Sequence, residues 1–231
     1  LLENGEQNTQ VYFNHSLNKL LPKNLFSQES LFGMDVQLNE IIFTGYSNVD
    51  TTSLLYSLKH QESSSINVFE GLPNNPDIIQ AVTLSDANLF YKNVEQQQSA
   101  EKTELNSVAW ESLNDSALYN IQKESLENID KEILQATYFI ENTTSYILSL
   151  KIKDVEKSET LLKLLSDSVF GSIDFKTYKL NRKFVNLFSF TNSEFKNEYA
   201  CLSENQLFLF SNKSALMLYQ QALSSSQLLG K

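Results

Sequence analysis

Glycine, proline, histidine, cysteine and tryptophan are all scarce in this chain of 231 residues, at six, three, two, one and one. Gly33, Gly45, Gly71 and Gly171 stand isolated, so no glycine-rich loop is present to cradle a phosphate or dinucleotide, and nucleotide enzymes of those types drop out. A lone cysteine excludes an internal disulfide. Cys201 falls in residues 198–202, which read as a strand, and is expected to act as a small buried hydrophobe. Zinc and hydrolytic sites usually need two or three converging ligands, or a nucleophile with its base. His15, in Asn14-His15-Ser16, reads as a cap or surface residue, and His60, in Lys59-His60-Gln61-Glu62, as solvated. One tryptophan is few for a sugar-binding cleft. Among 28 Asp and Glu, pairs such as Asp167 with Asp174, or Glu40 with Asp50, arise by chance and do not mark a glycosidase. No Asp-x-Asp-x-Asp-Gly calcium loop occurs. We therefore assign no catalytic, cofactor-binding or metal-ligating residue and expect no cofactor.

Long apolar runs are missing too. No stretch approaches the roughly 18 to 20 apolar residues that cross a bilayer as a helix, so no transmembrane segment is expected. The opening Leu1-Leu2-Glu3-Asn4-Gly5 has neither the basic nor the apolar zone of a signal peptide, and no initiator Met. Such a start fits an interior piece of a longer protein, with any signal or lipid anchor upstream. The net charge of −10, without a compact Lys/Arg cluster, repels phosphates and anionic headgroups and argues against nucleic-acid binding.

What is abundant points to a globular core. Hydrophobic residues make up 41%, with 15 Phe and 10 Tyr. At this length a chain can bury about 70% of its unfolded surface without disulfides or metal. Asn and Ser must supply the turns and caps that Gly and Pro do not.

Four times an apolar strand-like run ends in a small polar or acidic residue and passes at once into a helical pattern. The junctions are Val11-Tyr12-Phe13-Asn14 into residues 16–21, Val82-Thr83-Leu84-Ser85-Asp86 into 87–94, residues 147–153 then Asp154 into 155–165, and residues 207–210 then Ser211-Asn212 into 213–223. The Asp86 and Asp154 junctions superpose with the capping acid in register, as in an internal repeat or as any strand-to-helix junction that prefers Asp at its cap.

Two halves are expected, forming one continuous unit: residues 1–107, strand-rich with a polar helix, and residues 108–231, α+β. In the first, residues 35–46 read as a long strand with a bulge or a close backbone approach at Gly45, 51–59 are ambiguous between helix and edge strand, and 66–69 and 78–84 read as strands. Next, Leu113, Ala117, Leu118, Ile121, Ser125, Leu126, Ile129 and Ile133 recur at three- and four-residue spacing, predicting a helix that packs on its own domain or offers a partner its apolar face. The second half reads as strands at 136–140 and 146–153, a helix capped by Asp154, strands at 172–180, 184–190, 198–202 and 206–210, and a last helix. Strands so close in sequence need hairpins, so an α+β fold is expected, an antiparallel sheet with helices on one face.

Tyr178, Phe184, Phe188, Phe190, Phe208 and Phe210 alternate along strands, as core packing requires; a lipid or ligand groove is the other reading. Asn14, Asn114, Asn142 and Asn212 each open an Asn-x-Ser/Thr triplet, no more than chance supplies in a chain this rich in those residues.

Thr83-Leu84-Ser85-Asp86-Ala87, Phe43-Thr44-Gly45-Tyr46 closing the 35–46 run, and Asn205-Gln206-Leu207-Phe208-Leu209-Phe210-Ser211-Asn212 resemble a family of bacterial exported proteins known only as a domain of unknown function. The similarity covers most of the chain and carries no catalytic residues. It implies a place in the periplasm or cell envelope, often behind a signal peptide or lipid anchor; a cytoplasmic location is the alternative. Plentiful junction and packing signals beside missing reactive constellations give a non-enzymatic binding or scaffolding module, with another envelope protein as its partner. The alternatives are a hydrolase whose acids or Cys201 and His15 meet only in the fold, and an apolar-ligand-binding domain. Nothing in the sequence assigns an oligomeric state.

Overall fold

The computed structural model describes residues 9–14, 29–36, 41–47, 54–62, 71–90, 92–93, 121, 124–125, 127–171, 175–181 and 196–229. The first sheet holds β1 (Thr9–Asn14), β2 (Glu29–Val36) and β3 (Ile41–Ser47) in that order. Val36 pairs with Ile41 and Ser30 with Ser47, so the 35–46 run, read as one strand, belongs to two antiparallel arms. Alternation looks the same on both arms of a hairpin, which is why it concealed the division. Gly45 pairs with Phe32 in an unshifted register and makes no bulge. The ambiguous stretch contains a single helical turn, α1 (Leu54–Ser57).

The second sheet has seven strands among the described residues: β4 (Ile78–Thr83), β5 (Ile129–Ile140), β6 (Thr143–Ile152), β7 (Ser166–Gly171), β8 (Lys176–Leu180), β9 (Tyr199–Ser203) and β10 (Gln206–Phe210). Their spatial order is β4-β5-β6-β10-β9-β8-β7, every neighbour antiparallel. With α2 (Val155–Leu165) and α3 (Lys213–Ser224), the fold is α+β on an antiparallel sheet, as the hairpin spacing predicts. β4 pairs with β5, joining residues 78–83 of the first half to the sheet of the second.

The β5–β6 hairpin turns on Glu141 and Asn142, both at positive φ (47° and 65°), the pair of conformations a tight two-residue hairpin needs. β6 and β7 run parallel with three strands between them, and α2 makes that crossover, packing on β7, β8 and β9.

The two helices cover opposite faces, not the single face expected. Leu162 and Leu165 of α2 pack with Ile133, Leu150, Tyr178, Leu207 and Leu209, together with Leu84, Ala87 and Phe90. Ala215, Leu216 and Tyr219 of α3 pack with Ala136, Ile147, Cys201, Phe208 and Phe210. The cause lies in β10, where Leu207, Phe208, Leu209 and Phe210 are all buried. Successive residues of a strand point to opposite faces, so an unbroken apolar run needs cover on both sides.

The helix predicted through Ile133 stops short. Residues 121, 124–125 and 127 are helical, but Ile129 already belongs to β5. Ile129 pairs with Ile152 and Ile133 with Leu150, so four residues of β5 advance against two of β6. Ile129 and Ile133, 1% and 3% exposed, face the same core, as residues four apart in a strand do. A four-residue spacing that suggests a helix therefore arises from a bulged strand. Further on, residues 172–180 are not one strand: β8 begins at Lys176, and β7, unread in the sequence, follows Leu165 without a loop. Its first residues, Ser166-Asp167-Ser168, carry no apolar alternation. The expected strands at 66–69 and 184–190 lie outside the described residues.

Candidate functional site

The polar chemistry of the described residues gathers where strands hand over to helices. Asp86 Oδ1 accepts from Leu89 N–H at 3.0 Å, Asp154 Oδ1 from Lys157 N–H at 2.9 Å, and Asn212 Oδ1 from Ala215 N–H at 2.9 Å. Each satisfies one of the N–H groups that the first turn of a helix leaves without a partner. These are the caps expected at Asp86, Asp154 and Asn212; for the first junction, the residues after Asn14 lie outside the described residues.

Two junctions share a further device that the sequence reading missed. Gln61 Nε2 donates to the Asp86 carbonyl at 2.8 Å, and Gln61 Oε1 accepts from Asp86 N–H at 2.9 Å. Asn128 Nδ2 donates to the Asp154 carbonyl at 2.7 Å, and Asn128 Oδ1 accepts from Asp154 N–H at 3.1 Å. A carboxamide thus grips both backbone groups of each capping acid. β4 and β6 flank β5 and run parallel, so the two clasped junctions leave the sheet at the same end and feed the same core through Leu84 and Ile152. The Asn212 junction is held from the β6 side instead: Tyr146 N–H donates to Ser211 Oγ at 2.8 Å, and Asn212 Nδ2 to the buried Ser145 Oγ at 3.1 Å.

Acidic and aromatic groups with altered acidity are similarly committed to structure. Glu159 on α2 accepts from Lys176 Nζ on β8 at 2.9 Å and from Lys163 Nζ at 3.2 Å. The Lys176 hydrogen bond, then that of Lys163, lowers its carboxyl to about 2. Tyr178, whose hydroxyl lies 3.4 Å from the same carboxylate, is pushed up to about 12, chiefly by burial. Burial also raises Tyr138, which donates to the Pro73 carbonyl at 2.8 Å. Tyr219 is raised by burial against an opposing hydrogen bond with Ser203.

Cys201 is fully buried beneath α3, and burial pushes its thiol well above the ordinary range, the reverse of what a nucleophile needs. His60 is exposed at φ 66° beyond α1, whose neighbour Leu58 packs on the core of the other face; the fold does not bring it to Cys201. Asp167 accepts from Asn181 Nδ2 at 2.6 Å. His15, Asp174, Glu40 and Asp50 lie outside the described residues. Tyr178 serves one core and Phe208 and Phe210 the other, while Phe184, Phe188 and Phe190 lie outside the described residues. Among those residues, no group of three His, Cys, Asp or Glu could hold a metal ion, and no helix is long and apolar enough to cross a membrane.

Apolar side chains reach the surface where the sheet ends. β7 is paired on one side only among the described residues. Its Val169 and Phe170, which point to opposite faces, are 49% and 44% exposed, and Phe170 meets Tyr199 of β9 edge-on at 6.2 Å. Ile78 of β4 is 50% exposed at the other end. Comparison with protein families, with curated proteins and with solved structures finds no match to this chain.

Proposed function

We propose that this chain is a non-enzymatic binding or scaffolding module of an exported bacterial cell-envelope protein. The observation that supports this reading is the terminal strand β7, which offers two large apolar side chains to solvent, one on each face. A strand edge can take up an extended segment of a partner through main-chain hydrogen bonds, with alternate side chains giving selectivity. The clasps, caps and ion pairs around α2, which delivers β7, hold that edge at a set place on the sheet. The envelope location rests on the family resemblance carried by residues 83–87, 43–46 and 205–212.

The test is site-specific photocrosslinking in native cells, using the full-length protein with the crosslinking residue at Phe170 or, as a control, at the exposed Ser214 of α3. A discrete adduct from Phe170 alone, recovered in the envelope fraction, is expected. Equal labelling from both positions, or recovery of the protein only in the cytoplasmic fraction, would overturn the reading.

A further inference from the structure

We draw no further inference here: the strongest candidate, the exposed apolar pair Ile78 and Phe139 on one sheet face at the β4–β5 end, carries nothing, because nothing in the structure shows what covers it.

Discussion

Asn128 and Asp154, which meet at the open end of the β5–β6 hairpin, close a ring of two hydrogen bonds between one carboxamide and one residue's backbone. Asn128 is 5% exposed and also donates to Ser158 Oγ at 2.7 Å, so its removal takes a partner from the buried Ser158 hydroxyl and from the backbone N–H of Asp154, whose carbonyl still accepts from Ser158 N–H. Leaving a buried donor or acceptor unpaired costs about 1–3 kcal/mol. Asn128→Ala is therefore expected to lower unfolding free energy by about 2–4 kcal/mol. Gln61→Ala, at the more exposed twin junction, is expected to cost about 1 kcal/mol. Urea unfolding of both variants checks the ranking, and equal losses would show that burial does not set the strength of the clasp.

Gly71 sits at φ 89°, with Gln206 Oε1 3.0 Å and Phe208 Cζ 3.1 Å from where a Cβ would be. Any L-residue there meets both a strained backbone and the packed ring of Phe208. Gly71→Ala is expected to destabilise by about 1–3 kcal/mol, read as a lowered Tm in calorimetry. An unchanged Tm would mean that this loop moves off the sheet at little cost.

Residues 71–74 and 227–229 pair across the sequence: Gly71 N–H donates to the Leu229 carbonyl at 3.0 Å, Leu229 N–H to the Leu72 carbonyl at 2.7 Å, and Asn74 N–H to the Gln227 carbonyl at 3.0 Å. Leu72 and Leu228 are buried in the α3-side core. Leu228→Ala is expected to cost about 2–4 kcal/mol, the range for truncating a buried leucine. Leu223→Ala, at a position 38% exposed, should cost under about 1 kcal/mol. Denaturant unfolding separates them, and similar values would place Leu228 outside the core.

Stability should fall at both extremes of pH. Above about pH 8.5 the unfolded chain's thiol ionises while buried Cys201 stays protonated. Above about pH 10 the same holds for Tyr138, Tyr178 and Tyr219. In both windows the folded state binds more protons, so unfolding free energy declines as pH rises. Glu159 works in reverse: its contribution is full above its ordinary carboxylate range and is lost as pH falls toward about 2. Glu159→Gln should flatten the acid limb of a stability–pH profile and weaken the alkaline limb only through Tyr178, which burial chiefly raises and Glu159 raises further; an unaltered acid limb would remove the Lys163–Glu159–Lys176 group from the explanation.

Cys201 should resist a thiol-reactive disulfide at neutral pH in the native state and react at the rate of global unfolding, since it is fully buried and only thiolate attacks. Labelling at increasing urea measures this. Rapid labelling in native buffer would mean that the α3 face opens locally.

The elements most legible in the sequence were those with a local cause. The caps at Asp86, Asp154 and Asn212 were visible because an N-cap is set within four residues of chain. The short spacings around Glu141-Asn142 and Glu204-Asn205 marked hairpins, hence an antiparallel sheet. The helix through Ile129 and Ile133 was misread because a bulged strand and a helix can place the same residues on one face. β7 was missed because its register is set by β8, not by its own composition. Gln61 and Asn128 carry no signal at all: a carboxamide becomes a clasp only when a strand 26 or 25 positions away ends beside it.

The sequence by itself determined where strands pass into helices, that the sheet is antiparallel, and that residues 207–210 form an apolar strand. These follow from capping, hairpin closure and side-chain alternation, which act over a few bonds. Only the tertiary structure decided the order β4-β5-β6-β10-β9-β8-β7, the placement of α2 and α3 on opposite faces, the carboxamide clasps, and the pairing of residues 71–74 with 227–229. Each of those joins segments far apart in the chain, and its free energy depends on what the rest of the fold brings alongside.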